Sequence, residues 1–193
     1  MASYPSIGFN MLDPTSGPFL FDTSAEGWFA RQKAAPAQEW MIRYLERHPV
    51  HVSAMTVFER VRGYALLARD DSSSNRLAVE RARLDYLADL GSVWPVDQAV
   101  ASTAAEICAL LRQPPTPPRR AHQFVESRQE RLARWRADTM IAATALAADL
   151  LLIHNNAADF EAIRGAIERD PVRFPGLGPL KLIRCASVCT NSA

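Results

Sequence analysis

Short apolar runs alternate with segments of helical periodicity along most of this chain. The apolar runs show no clean polar alternation, which is typical of strands that are covered on both faces. The segments between them repeat their apolar residues at the spacing of a helix. This alternation predicts an α/β fold in which helices flank a parallel sheet. The predicted strands are 18–21, 50–52, 92–96 and 150–153, with a fifth at 181–184.

Several of the predicted helices have recognisable start and stop residues. A stripe of apolar residues from Trp40 to His48 ends at Pro49, which cannot continue a helix. Another helix follows Asp97, a good N-cap residue, and a third closes at Gly91. Two further helices are predicted at 53–69 and 137–150, the second of them rich in alanine and able to pack closely on a sheet.

Composition narrows the class of protein. The 193 residues are 48% hydrophobic and 22% charged, as in one folded domain with a core. The net charge of +1 excludes a strongly basic or acidic binder. Three cysteines are too few for a disulfide framework, so a reducing cytoplasmic location is expected. The chain start lacks a signal-peptide pattern, and the longest apolar stretch, 140–153, is too short to span a bilayer, so no membrane association is expected.

The chain is predicted to consist of one domain with two looser ends. The domain covers 18–184, between a loosely packed N-terminal arm at 1–17 and a C-terminal tail at 185–193. Within the domain, a Pro- and Arg-rich insert occupies 113–136. The stretch 112–136 carries a net charge of +5, so the remainder carries −4.

The insert is predicted to end in an amphipathic helix whose stripe runs from Phe124 to Trp135. In one interpretation its arginines contact RNA phosphates and Trp135 stacks on a base. In the other, the helix is solvated, its arginines pair with Glu126 and Glu130, and Trp135 anchors the core. Positive charge beside an acidic site favours RNA contact by the arginines, whereas a core anchor is the more common role for a tryptophan such as Trp135. The candidate RNA contacts are Arg128, Arg131, Arg134 and Arg136.

Acidic residues stand at the edges of the predicted elements. Asp22 directly follows the first strand, where an α/β sheet opens its ligand crevice. Glu59 lies on the helix after the second strand, and Asp138 opens the alanine-rich helix. Asn156 and Asp159 follow the fourth strand. We therefore expect these oxygen-bearing side chains to converge on one pocket.

Carboxylates that share a pocket repel one another and need a proton or a cation. Mg²⁺ or Mn²⁺ is the natural counter-ion, since hard cations prefer oxygen ligands. Such an ion can activate water for attack on a phosphodiester and offset the charge that develops there.

Each acid also has a structural interpretation. Thr56 and Glu59 match the T-x-x-E capping box, and Asp138 would suit the first turn of a helix, where it interacts with the dipole. Asp159 would suit an N-cap. Asp22 is the hardest to explain as a surface residue, because it directly follows an apolar strand.

In this order, the residues resemble the PIN domain, and most closely the VapC-type toxins of bacterial toxin–antitoxin pairs. The most specific element is D-x-x-IAATALA ahead of an apolar strand and N-x-x-DF. The arm before Asp22 and the insert are longer than these toxins usually show. The matching stretches, which span most of 18–184, are FLFDTS, HVSAMTVFERVRGYAL, VWPVDQAVASTAAEI, ADTMIAATALAADLLLIHNNAADFEAI and GPLKLIR.

The resemblance implies a three-layer α/β/α sandwich with a mostly parallel, twisted sheet and a Mg²⁺- or Mn²⁺-dependent ribonuclease site. Asp22, Glu59 and Asp138 match the family's first three acids and would be both catalytic residues and metal ligands. Ser24 would orient Asp22. The fourth acidic position holds Asn156, a neutral and weaker ligand, and Asp159 would be expected to help complete the metal shell through a water.

The resemblance also implies a toxin that hydrolyses RNA with a metal-activated water, a cognate antitoxin and a homodimer. Two alternatives stay open. Asn156 at the fourth position would suit a catalytically weak PIN-like module that binds RNA or protein. A receiver-type signalling domain also gathers acids at strand ends, but it needs paired acids after its first strand, whereas Asp70 and Asp71 lie in a predicted loop. No triad, P-loop or dinucleotide-binding motif is present.

Overall fold

The computed structural model describes residues 12–70, 73–111, 113–115, 120–121, 124–170, 172–174 and 178–189. A short 3-10 helix, Pro14–Ser16, precedes the first strand. The strands are β1 (Phe19–Phe21), β2 (His51–Ser53), β3 (Ser92–Trp94), β4 (Arg120–Ala121), β5 (Phe124–Val125), β6 (Leu151–His154) and β7 (Leu182–Arg184). The helices are α1 (Thr23–Arg31), α2 (Ala35–Leu45), α3 (Ala54–Asp70), α4 (Ser73–Ala88), α5 (Gln98–Leu110), α6 (Arg128–Ala147), α7 (Ala157–Arg169) and α8 (Cys185–Cys189).

Five strands form one parallel sheet in the order β3-β2-β1-β6-β7. Leu20 in β1 is in register with His51 on one side and with Leu152 on the other. The chain therefore runs outward from β1 through β2 and β3, and then returns to the other side of β1 with β6. All five predicted strands are confirmed, and the order reverses between β1 and β6, which makes that boundary the topological switch point of the sheet.

Helices cover both faces of this sheet. In β1, Leu20 packs with Ile141 and Phe160 on the side of α5, α6 and α7. Phe19 and Phe21 face the opposite side and pack with side chains of α1, α2 and α8. This two-residue alternation follows from strand geometry, and each fully buried large apolar side chain stabilises the fold by about 1.5–3 kcal/mol. The three-layer sandwich implied by the resemblance is confirmed.

An aromatic cluster fills the core on the α2 side. The rings of Trp40 and Tyr44 stack with their centroids 5.5 Å apart, and the Tyr44 hydroxyl accepts a 3.3 Å hydrogen bond from the Phe19 amide. The Trp40 indole donates to the Leu12 carbonyl at 2.7 Å. The described part of the N-terminal arm, 12–17, is thus attached to α2, and the rest of that predicted arm lies outside the described residues.

The long helix α6 corrects two predictions. It begins at Arg128, where Ser127 and Glu130 form a capping box, so Asp138 lies mid-helix and does not open it. No glycine or proline interrupts the helix, which lets it run unbroken. Phe124 lies in β5, so the predicted helical stripe does not extend that far. Trp135 is 2% exposed and belongs to the core, so the prediction that it anchors the core is the correct one and the prediction that it stacks on a base is wrong.

The start of the predicted C-terminal tail is also corrected. Residues 185–189 form α8, and Cys185 and Val188 are fully buried in the core beside α2. The predicted tail is wrong there because these apolar side chains cover the sheet, and 190–193 lie outside the described residues. Likewise, 116–119 and 122–123 of the predicted insert are not described. Over the described ranges, no helix is both long and apolar enough to cross a bilayer.

Candidate functional site

The candidate site lies at the carboxyl ends of β1 and β6, beside the switch point of the sheet. Asp22 is the first residue after β1, and its amide donates to the Ile153 carbonyl in β6 at 3.1 Å. Asn155 and Asn156 follow β6 directly. Crevices at such switch points are where open α/β sheets bind ligands, so the topology brings together residues from opposite ends of the chain.

Asp22 caps α1 and is held from two sides. Its carboxyl accepts a 2.5 Å hydrogen bond from the Ala25 amide and bonds of 2.9 and 2.8 Å from the Ser24 hydroxyl. The Ser24 oxygen in turn accepts from the Asn155 amide at 3.0 Å, which ties α1 to the end of β6. Asp22 is only 2% exposed. Burial, assisted by the charge of Glu59, raises its pKa to about 7.

Glu59 approaches this pocket from α3. Its Oε2 accepts a 2.5 Å hydrogen bond from the Thr23 hydroxyl on α1. The start of α3 is capped instead by Ser53, whose Oγ accepts from the Thr56 amide at 3.0 Å. The capping-box interpretation of Thr56 and Glu59 is therefore wrong, because both residues lie inside the helix. Glu59 therefore does not cap α3, and its charge contributes to the raised pKa of Asp22.

Asp138 reaches the pocket from the middle of α6. It is 6% exposed, and its Oδ2 accepts a 2.9 Å hydrogen bond from the side-chain amide of Asn156. Burial raises its pKa well above the ordinary value, and the charges of Asp159, Glu59 and Asp22 add to the rise. The helix-dipole interpretation fails, since Asp138 is far from either end of α6.

Asp159 joins the same cluster from the first turn of α7. It is fully buried, and it accepts from Asn156 Nδ2 at 2.8 Å and from Arg134 Nη1 at 3.1 Å. It is not the N-cap of α7, since Asn156 occupies that position. The Asn156 side chain therefore bridges two carboxylates, Asp138 and Asp159, with its NH₂ group.

The predicted RNA-contacting arginines have different surroundings. Arg134 is half-buried beside Asp159 and also binds both carboxylate oxygens of Glu126. Arg128 and Arg136 are exposed, and Arg131 is half-buried. Only Arg134 and Arg136 line the cleft described next. The structure therefore separates Arg134, which is paired with carboxylates, from the other three predicted arginines.

A cleft of about 620 Å³ opens between α3 and α6, with Glu59 in its wall. Two residues that the sequence analysis missed also line it. Phe58 is 59% exposed despite its size, and Arg62 is exposed one turn after Glu59 on α3. Helical spacing from Glu59 is the signal that points to Arg62, but only the packing of α3 against α6 shows that a cleft exists. Arg136 lies on the α6 side of this cleft.

The donor set of the pocket fits a hard divalent cation. Asp22, Glu59, Asp138 and Asp159 supply carboxylates, and the raised pKa of Asp22 and of Asp138 shows that ionisation is opposed by burial and mutual repulsion. A cation removes both penalties. Over the described ranges no three such side chains form a ready-made coordination group, so binding requires the carboxylates to draw together.

A parallel α/β sandwich with carboxylates clustered at the switch point of its sheet is characteristic of one class of protein domain. The PIN domain family model matches residues 19–166. This chain belongs to the PIN domain family, whose members are generally nucleases. A comparison with curated proteins finds no significant sequence match.

Several solved structures share the fold of this chain. FitAcB from Neisseria gonorrhoeae is 26% identical, with 76% of this chain and 93% of that chain covered and a TM-score of 0.51. DNA-bound VapBC from Salmonella typhimurium is 19% identical, with 86% and 97% covered and a TM-score of 0.52. VapBC-1 from nontypeable Haemophilus influenzae is 15% identical, with 87% and 98% covered and a TM-score of 0.52. The predicted PIN family is confirmed by the family model, and the VapBC structures share the fold of this chain.

Proposed function

We propose that this chain is a Mg²⁺- or Mn²⁺-dependent endoribonuclease and the toxin component of a toxin–antitoxin pair. The observation that supports this most is the convergence of Asp22, Glu59 and Asp138 from three separate elements. Their charges oppose one another's ionisation in a largely buried pocket. Such a pocket favours a cation and suits the handling of a phosphodiester, whose own charge bare carboxylates would repel.

Asp22, Glu59 and Asp138 would hold the ion, with Asn156 completing its shell. When bound, a divalent ion supplies an activated water and offsets negative charge on the reacting phosphate. The chain's own contribution is orientation. Ser24 and the Ala25 amide fix the Asp22 carboxyl, Thr23 holds Glu59 and Asn156 holds Asp138.

The RNA strand would lie in the cleft between α3 and α6. Phe58 offers an exposed ring on which a base can stack. Arg62 and Arg136 are exposed cations that line the same cleft as Glu59, and each can contact a phosphate. A strand in this cleft would pass directly beside the acid cluster. Arg128 and Arg131, earlier on α6, would extend the contact along the backbone.

The partners are proposed by likeness to known complexes. The structures that this chain resembles include FitAcB and DNA-bound VapBC. We extend to this chain a cognate antitoxin and a homodimeric assembly, acting in the cytoplasm on RNA.

The function is tested by cleavage of a 5′-labelled single-stranded RNA by wild type and by Asp138→Asn, with Mg²⁺ or Mn²⁺ present. Asp138→Asn removes a carboxylate from the cluster, so we expect cleavage to fall at least about a hundredfold, the equivalent of about 2.7 kcal/mol. EDTA should give the same loss in wild type. A DNA strand of the same sequence should be cut more slowly.

Asp149→Asn is the matched control. Its carboxylate is 78% exposed and pairs with Lys181, away from the cluster, so cleavage should be unchanged. Full activity of purified Asp138→Asn, or activity that survives EDTA, would refute the proposal.

A catalytically weak PIN-like module that binds RNA or protein is the second candidate. Asn156 favours it, because the side chain at the fourth position donates its NH₂ group to Asp138 and Asp159. Calorimetric titration with Mn²⁺ separates the two, since a binding module would take up the ion weakly and would leave RNA intact.

A further inference from the structure

Arg134 is a cation built into the acid cluster. Its Nη1 lies 3.1 Å from Asp159 Oδ2. Its Nε and Nη2 bind the two carboxylate oxygens of Glu126 at 3.1 and 2.9 Å. All three guanidinium nitrogens are thus engaged, and the side chain is only 12% exposed. A guanidinium stays charged in such surroundings, so the pocket permanently contains one positive charge.

This charge acts on the candidate metal ligands. Arg134 lies one turn before Asp138 on α6, a spacing that places both on one face of the helix. Asn156 donates to Asp138 at 2.9 Å and to Asp159 at 2.8 Å, so the guanidinium that binds Asp159 lies close to the Asp138 carboxyl. Arg134 and Glu59 also line the same cleft. A divalent ion held by Asp22, Glu59 and Asp138 would therefore experience repulsion from the guanidinium.

The position of Asp159 follows from the same contacts. Its carboxyl is held by Arg134 on one side and by Asn156 on the other. A carboxylate in an ion pair gives up part of its capacity to bind a metal. Arg134 is itself held by Glu126, in a bidentate arrangement that fixes the orientation of the guanidinium.

We infer that Arg134 is a positioning residue that keeps Asp159 out of the metal shell and lowers the affinity of the acid cluster for divalent cations. This inference rests on the proposed metal-dependent function and assigns a role to Asp159 within it. The fourth carboxylate serves to anchor the arginine, and Asp22, Glu59 and Asp138 remain as the ligands. The positive charge of the Arg134 side chain would thereby set the affinity of the site for its divalent ion.

The test is calorimetric titration of metal-free protein with Mn²⁺. Arg134→Gln removes the charge and releases Asp159, so Mn²⁺ should bind about tenfold more tightly or better, a change of about 1.4 kcal/mol. Arg134→Lys keeps the positive charge and should bind Mn²⁺ with an affinity within about threefold of wild type. The difference is allowed because a lysine supplies the charge but not the bidentate geometry of the guanidinium. Arg164→Gln is the matched control. Arg164 pairs with Glu161 on the outside of α7 and is 39% exposed, so its loss should leave Mn²⁺ affinity unchanged.

A second variant tests the opposite sign. Glu126→Gln removes the carboxylate that pairs with the Arg134 guanidinium. The positive charge of Arg134 is then less neutralised near the acid cluster, so the affinity for Mn²⁺ should fall. Circular dichroism checks that each variant folds, and Glu126→Gln carries the test if Arg134→Gln does not fold. A purely structural role for Arg134 would lower the unfolding temperature of Arg134→Gln without tightening Mn²⁺ binding.

The outcomes separate this inference from the proposed function. If wild type binds Mn²⁺ and Arg134→Gln binds it equally tightly or more weakly, only the inference about Arg134 is overturned. Failure of both proteins to bind Mn²⁺ overturns the metal-dependent function and the inference with it. Tighter binding in Arg134→Gln, with Arg134→Lys near wild type, supports both.

Discussion

Replacing Asp22 with asparagine should stabilise the metal-free protein while it abolishes cleavage. Burial raises the pKa of this carboxyl from 3.8 to about 7. A buried group with a raised pKa destabilises the fold when it is forced to ionise. Asparagine removes that ionisation, and it still offers an oxygen to the Ala25 amide, because it is as good an N-cap residue as aspartate.

The size of the effect follows from the pKa difference. Each unit corresponds to about 1.4 kcal/mol, so a rise from 3.8 to about 7 corresponds to an upper limit of about 4 kcal/mol. Below about pH 4 the carboxyl is protonated in both the folded and the unfolded chain, and no penalty applies. Between about pH 4 and pH 7 the unfolded chain ionises first, so the stability of wild type falls as the pH rises. Above about pH 7 the penalty is complete and constant.

The measurement is urea-induced unfolding of metal-free wild type and Asp22→Asn at pH 4, 6 and 8. We expect the free energies of unfolding to agree at pH 4 and to differ in favour of Asp22→Asn by about 1–4 kcal/mol at pH 8. Saturating Mn²⁺ should reverse the order, because only wild type retains the full ligand set and ligand binding to the folded state stabilises it. Asp149→Asn, at an exposed site, should show no such pH dependence. Equal stabilities at pH 8, or a variant that is less stable there, would refute the account of Asp22 as a buried, ionisation-penalised ligand.

Two further substitutions test residues that hold the site and the core in place. Thr23→Val removes the hydroxyl that donates to Glu59 at 2.5 Å. Because a hydrogen bond to a charged group contributes about 1.5–3 kcal/mol, RNA cleavage should fall at least about tenfold while the circular dichroism spectrum stays unchanged. Undiminished cleavage would contradict this role of Thr23. Trp135→Ala empties a core position that is 2% exposed and should lower the free energy of unfolding by about 3–5 kcal/mol, as measured in urea; a loss under about 1 kcal/mol would fit an RNA-stacking residue and contradict the core assignment.

The strands and most helices were predictable because their signals are local. β1 is three consecutive buried apolar residues, and Asp97 caps α5 through the Val100 amide at 2.9 Å, both of which a short window of sequence shows. The start of α6 was not found, although Ser127 and Glu130 carry a capping-box pattern. The prediction extended the apolar stripe back to Phe124, which in the structure pairs with Ala121 in a small antiparallel hairpin. Pairing between strands is a non-local choice that periodicity alone does not reveal.

The sequence indicated which acidic residues to expect in the candidate site, but not how they are arranged there. The order of Asp22, Glu59 and Asp138 along the chain led to the family, and the family model confirms it. The sequence left capping and dipole roles open for these acids, and the observed helix starts removed them, because Ser53 caps α3 and Ser127 caps α6. The sequence offered pairing with Glu126 as one alternative for the arginines, but it carried no signal for which arginine would pair. Arg134 and Arg136 differ by two positions, yet Arg134 is half-buried and paired with two carboxylates while Arg136 is exposed.

By itself, the sequence determined the alternation of strands and helices, the parallel sheet and the identity of the oxygen-bearing side chains, because hydrophobic periodicity and the residues at strand ends are properties of short segments. The tertiary structure alone decided which of those side chains meet, that Asn156 bridges Asp138 and Asp159, and that the chain supplies its own cation at the pocket through Arg134. The physical reason is that electrostatic interactions and burial depend on distances between elements that are remote in sequence, and those distances exist only once the helices have packed on the sheet.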